Sequence, residues 1–112
     1  MALFSALFRN VKELEACQAN DSAHLTPGAK GFHVRLVQTA LCRLGFKFIN
    51  GQEYIDGFYG PTTAAEVLRY KITRNIVNHA YQSKPDNIVG KITITRLDGE
   101  MNILEHVPGL KF

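Results

Sequence analysis

The strongest constraint on this 112-residue chain is an internal echo. "IDGFYGPTTAAEVL" (55–68) and "PDNIVGKITITRL" (85–97) carry one pattern thirty residues apart, with Gly60 over Gly90. In that register Asp56 falls on Asp86, Gly57 on Asn87, Phe58 on Ile88, Tyr59 on Val89, Thr63 on Thr93 and Val67 on Leu97. Each residue type has a local task. The Asp accepts from its own downstream backbone and tightens a turn, and Gly or Asn tolerates a positive φ. The apolar pair plugs the core, the second Gly turns the chain into a helix, and Thr secures the first helical turn. Two glycine-hinged corners are therefore expected, each feeding a helix into one shared interior. This is structural grammar and not a catalytic motif.

Apolar spacing places the helices. Leu3, Phe4, Leu7, Phe8, Val11 and Leu14 recur at three and four, which predicts an amphipathic helix from Ala2 to Gln18. Its polar face lacks the Lys and Arg of a membrane-surface helix, so it packs on the domain or docks on another protein. A loop with two glycines, "LTPGAKG" (25–31), leads to a second helix over 31–45, with Val34, Val37, Leu41 and Leu44 on one face and Gly45 as left-handed cap. "FKFINGQEYIDG" (46–57) reads as a loop or a hairpin-like excursion. A third helix starts with Gly60 as N-cap and Pro61 at its first position, and continues toward Val77. A fourth follows Gly90 to about Glu100, and the tail from Asn102 is irregular. The fold class is all-α. Residues 1–25 form the N-terminal amphipathic helix and linker, 26–100 the helical domain, and 101–112 a tail.

Composition removes several function classes. The net charge is +3, and the cations are spread along the chain; only Arg69, Lys71 and Arg74 bunch, as a solvated helix face does, which argues against nucleic acid. No apolar run approaches the ~20 residues of a membrane span. A bridge between Cys17 and Cys42 would close a loop of about 25 residues, but Cys42 sits in an apolar stripe and reads as a buried reduced thiol. His24, His33, His79 and His106 have no metal-ligand spacing, and no cofactor loop is present. Glu53 and Asp56 are close in sequence and could be imagined as a glycosidase pair, but Asp56 already serves the turn, so the chain reads as a non-enzyme. The N-terminal stretch lacks the features of a cleaved signal peptide, so synthesis and retention in the cytoplasm, or export without one, is expected.

The line "GAKGFHVRLVQTALCRLGF … IDGFYGPTTAAEVLRYK … DNIVGKITITRL" resembles the peptidoglycan-binding-domain family of bacterial cell-wall hydrolases and related proteins. The matching residues are Gly28, Gly31, Val34, Val37, Gln38, Leu41, Leu44, Gly45 and Phe46; then Asp56, Gly57, Tyr59, Gly60, Thr63, Val67 and Tyr70; then Asp86, Val89, Gly90, Thr93 and Leu97. The likeness covers about Thr26 to Glu100. Glu66 stands where the family has Ala, Lys71 where it has Gln, and Asn87 where it has Gly. The resemblance implies a small orthogonal bundle of three core helices, here with an extra N-terminal helix and long loops. It also implies a non-catalytic module that binds peptidoglycan or a muropeptide in the periplasm or cell wall after non-classical export. Glycan binders combine aromatic faces, cations and hydrogen-bonding side chains. Tyr54, Tyr59, Arg69, Arg74, Tyr81, Gln82, Asp86 and Asn87 are the candidate ligand residues near the two corners. The rival reading is a protein-interaction adaptor on the same fold, docking secretion-system or phage cargo through Leu3, Phe4, Leu7 and Phe8.

Overall fold

A computed structural model describes residues 3–19, 23–46, 55–76 and 86–106. It is all-α. The helices are α1 (Lys12–Ala19), α2 (Phe32–Arg43), α3 (Pro61–Arg74) and α4 (Lys91–Glu105), and the described residues hold no strand. α1 packs on α4, and α2 on α3.

Both corners are present. Gly60 and Gly90 are the N-caps of α3 and α4 with nearly the same extended backbone, φ −93° and −103°, and Pro61 occupies the first turn of α3. The segment 25–31 straps them together. Leu25 exchanges two backbone hydrogen bonds with Val89, at 3.0 and 2.9 Å. The N–H of Gly28 donates to the Tyr59 carbonyl, Tyr59 donates to Ala29, and Gly31 donates to Gly57. Neither helix start has a side-chain cap. The Thr63 hydroxyl, expected in that role, instead accepts a hydrogen bond from Gln38 at 2.9 Å.

The thirty-residue period also covers the helix ends. At the end of α2 Gly45 is left-handed (φ 89°), and Phe46 donates back to the Leu41 carbonyl. At the end of α3 Asn75 is left-handed (φ 54°), and Ile76 donates back to Lys71. Asn tolerates this conformation better than other side chains, so α3 stops before Val77. Asn87, by contrast, does not take the positive φ of Gly57 (φ 78°).

The N-terminal helix is shorter than expected. Residues 5–10 form turns, Asn10 has a left-handed φ of 65°, and α1 begins only at Lys12. The apolar stripe still enters the core: Leu3, Phe8, Leu14 and Cys17 are buried, Leu7 is half-buried and Phe4 is exposed. Leu3 and Phe8 thus cannot serve as an external docking stripe. The turn is held by α4. Asp98 accepts from the N–H groups of Phe4 and Ser5, and Glu105 from those of Ala6 and Leu7, at 2.7–3.2 Å. Two carboxylates thus satisfy four backbone donors that no helix supplies with partners. This also corrects the expected end of the fourth helix, because residues up to Glu105 belong to α4.

One apolar cluster runs from Leu3 through Val37, Tyr59, Tyr70 and Leu97 to Met101, so a single core spans all three stretches of the chain. Cys17 and Cys42 are not joined by a disulfide, and Cys42 is half-buried where a buried thiol was expected. The Cys17 thiol donates to the Val89 carbonyl, and burial pushes it up to about 11.

Candidate binding crevice at the first corner

In an extended pair of residues the side chains point to opposite sides. Of Phe58 and Tyr59 only Tyr59 enters the core, where it is fully buried; Phe58 is 42% exposed. The expectation that both rings plug the interior is corrected by this alternation. The Phe58 ring lies against Gly60, so close that a Cβ there would sit 2.9 Å from it. The ammonium of Lys30 stands 5.7 Å from the ring centroid on the strap. A crevice of about 270 Å³ opens beside the ring, lined by Asp56, Phe58, Gly60, Pro61, Thr62 and Thr63.

Gln38 builds the crevice from behind. Its carbonyl oxygen accepts from the backbone N–H groups of Asp56 and Gly57, at 3.1 and 3.0 Å. Its amide donates to the Asp56 carboxylate, the Phe58 carbonyl and the Thr63 hydroxyl, at 2.9–3.1 Å. One buried neutral side chain therefore fixes the whole turn. The backbone N–H of Phe58, with help from Gln38, holds the Asp56 carboxyl below the ordinary carboxylate range. The crevice wall thus carries a permanent negative charge at neutral pH, next to an exposed ring and the uncapped start of α3.

The second corner is organised differently. The Lys71 ammonium replaces the Gln38 amide, donating to the Asp86 carboxylate at 2.5 Å and the Ile88 carbonyl at 2.9 Å. Lys71 stands two residues closer to the end of its helix than Gln38 does. Asp86 also accepts from the N–H of Ile88, as Asp56 does from Phe58. Here the imidazole of His24 lies over the glycine, 3.0 Å from where a Cβ of residue 90 would stand.

The residues expected to bind ligand divide accordingly. Tyr59 is interior, and its hydroxyl donates to the Asn87 carbonyl, linking the two corners. Burial pushes its pKa upward. Tyr59 is thus a core residue and not a ligand platform. Arg74 makes a forked pair with Glu100 (2.7–3.1 Å) and stacks near Phe46 and Tyr70. Arg69 is 59% exposed and pairs with the buried Glu66 at 2.9 Å. Asp86 is held by Lys71. Asp86 and Asn87 lie at the second corner, away from the crevice lining. Tyr54, Tyr81 and Gln82 lie outside the described residues. Sequence reasoning missed Phe58 and Thr62 as crevice residues and Lys30 as the cation beside the ring. The signal for Phe58 was present, since two adjacent aromatics in an extended corner cannot both face inward.

No family model matches the sequence, and neither the curated proteins nor the solved structures contain a match to the chain. Among the described residues no cluster of His, Cys, Asp and Glu could hold a metal ion, and no helix is long and apolar enough to cross a membrane.

Proposed function

We propose that this protein is a non-catalytic binding module for peptidoglycan or a muropeptide, and that the first corner is its binding surface. The observation that carries this reading is the juxtaposition in one crevice of an exposed Phe58 ring, an ionised Asp56 and the Thr62 hydroxyl. Sugar rings offer C–H faces that pack on an aromatic ring, and their hydroxyl and acetamido N–H groups suit a carboxylate acceptor. The anionic peptide stem suits Lys30 and the uncapped start of α3. Among the described residues Asp56 is the carboxylate that lines the crevice, placed to accept hydrogen bonds from a bound sugar. The orthogonal packing of α2, α3 and α4 and a site of action in the periplasm or wall belong to the same proposal. The rival adaptor reading loses its first surface, because Leu3 and Phe8 are interior.

Co-sedimentation with purified wall sacculi tests the proposal. Phe58→Ala should cut the pelleted fraction about fivefold without changing the thermal midpoint. Equal pelleting of the two proteins, or no pelleting of the native chain at low salt, would sink it.

A further inference from the structure

The polar groups of the first-corner crevice are fixed in kind as well as in place. Asp56 is locked by its Oδ1, which accepts from the Phe58 N–H at 3.0 Å and from the Gln38 amide at 3.1 Å. The carboxylate therefore presents Oδ2 to the crevice that it lines. An ionised carboxylate only accepts, so a ligand atom beside Oδ2 must be a donor. The start of α3 makes the opposite demand. Pro61 has no N–H, and the first intrahelical bond runs from Ala64 to the Gly60 carbonyl at 2.9 Å. The N–H groups of Thr62 and Thr63 have neither such a bond nor a side-chain cap. They only donate, so a ligand atom beside them must accept. The exposed Phe58 ring adds a flat apolar wall. At about 270 Å³ the space is smaller than the roughly 300–1,000 Å³ of a pocket for a drug-sized ligand, so it suits one chemical group rather than a length of polymer.

We infer that the crevice recognises a secondary amide, whose N–H bonds Asp56 Oδ2, whose carbonyl bonds the first-turn N–H groups of α3 and whose plane or adjoining methyl lies on Phe58. A secondary amide is a small group that carries a fixed donor and a fixed acceptor in one plane. A bare ammonium suits Asp56 and is opposed by the two N–H groups. A carboxylate suits the N–H groups and is repelled by Asp56. A hydroxyl serves either wall but has no plane to lay on the ring. The inference rests on the wall-binding reading and narrows it to the group that is read. Two parts of a muropeptide carry that group: the acetamido substituent of its amino sugars and the peptide bonds of its stem.

Backbone-amide NMR titration of the full chain tests it, with N-acetylglucosamine, glucose and N-acetylalanine N-methylamide each taken to about 50 mM. The two amide probes should shift the Thr62 and Thr63 signals at concentrations about tenfold below those that glucose needs. Tighter binding of the acetylated sugar assigns the acetamido group as the source, and tighter binding of the peptide analogue assigns the stem. Asp56→Asn puts a donor where Oδ2 stood. The side chain stays in that orientation, because a flip would set its NH₂ against the donors of Phe58 and Gln38. This variant should bring both amide probes down to the level of glucose at an unchanged thermal midpoint. Equal binding of glucose and the amide probes, no shift at Thr62 and Thr63, or a preference that survives Asp56→Asn overturns the inference. If any of these occurs while pelleting with sacculi still depends on Phe58, the wall reading stands and the amide inference falls. If the amides shift Thr62 and Thr63 and sacculi do not pellet the chain, the wall reading falls alone.

Discussion

The two corners share a backbone and differ in what holds them. At the first, Gln38 is fully buried and, itself uncharged, bonds five polar groups, one of them the Asp56 carboxylate. At the second, Lys71 is nearly buried and works mainly through an ion pair with Asp86, whose side chain is 30% exposed. A buried amide bonds in several directions at little desolvation cost. A buried ammonium must recover a large one, and it does so only with a carboxylate close by. The comparison teaches that a repeated turn keeps its backbone while the side chain that closes it is chosen by context. It also separates roles: the first corner exposes a ring and a crevice, whereas at the second His24 lies over the hinge glycine.

The comparison can be broken most severely at Gln38. Gln38→Ala strands the buried backbone N–H of Gly57, removes a partner of the Thr63 hydroxyl and opens a cavity, so it should cost about 2–4 kcal/mol in urea unfolding. Lys71→Met keeps the apolar stem and removes only the ammonium. Water reaches Asp86 in part, so the cost should be smaller, about 1–3 kcal/mol. If Lys71→Met costs more than Gln38→Ala, the neutral network is not the stronger of the two.

The smallest expected effect is a difference in acid response. Burial opposes charge on Glu100, but its hydrogen bonds with Arg74 and Tyr70 outweigh burial and lower its pKa below the ordinary value of 4.5. A carboxyl lowered in the folded state stabilises the fold fully above its unfolded pKa, and that contribution is lost as pH falls through the folded value. Thermal midpoints should therefore fall on acidification below about pH 4.5, and Glu100→Gln should flatten part of that slope. Amide exchange sharpens the contrast: the amides of Asp56 and Gly57 bond to the Gln38 carbonyl oxygen, which does not titrate, so on acidification amides around α4 should lose protection before them. Simultaneous loss in both places would erase the distinction.

Short-range pattern set much of this architecture. Gly60, Pro61 and Gly90 specify where α3 and α4 begin, because hinge and first-turn requirements are local. The spacing of Val34, Val37 and Leu41 likewise fixes the buried face of α2, and Gly45 its end. Asn75 and Phe58 follow from local signals that the apolar spacing overrode, whereas the N-terminal turn follows from contacts that no window of sequence contains. Asn75 ends α3 although the apolar spacing continues. Phe58 faces outward because Tyr59 claims the interior. Residues 5–10 turn instead of coiling into a helix because Asp98, more than ninety positions away from Phe4 and Ser5, captures their N–H groups. The candidate crevice falls in the same class. Asp56 and Gly60 are legible as turn residues, but the arrangement that makes them a site depends on Gln38 reaching across from another helix. The sequence alone determines where the chain bends and which faces are apolar, since those are properties of neighbours. Which polar groups meet depends on long-range packing, because a buried hydrogen bond forms only when both partners are brought together.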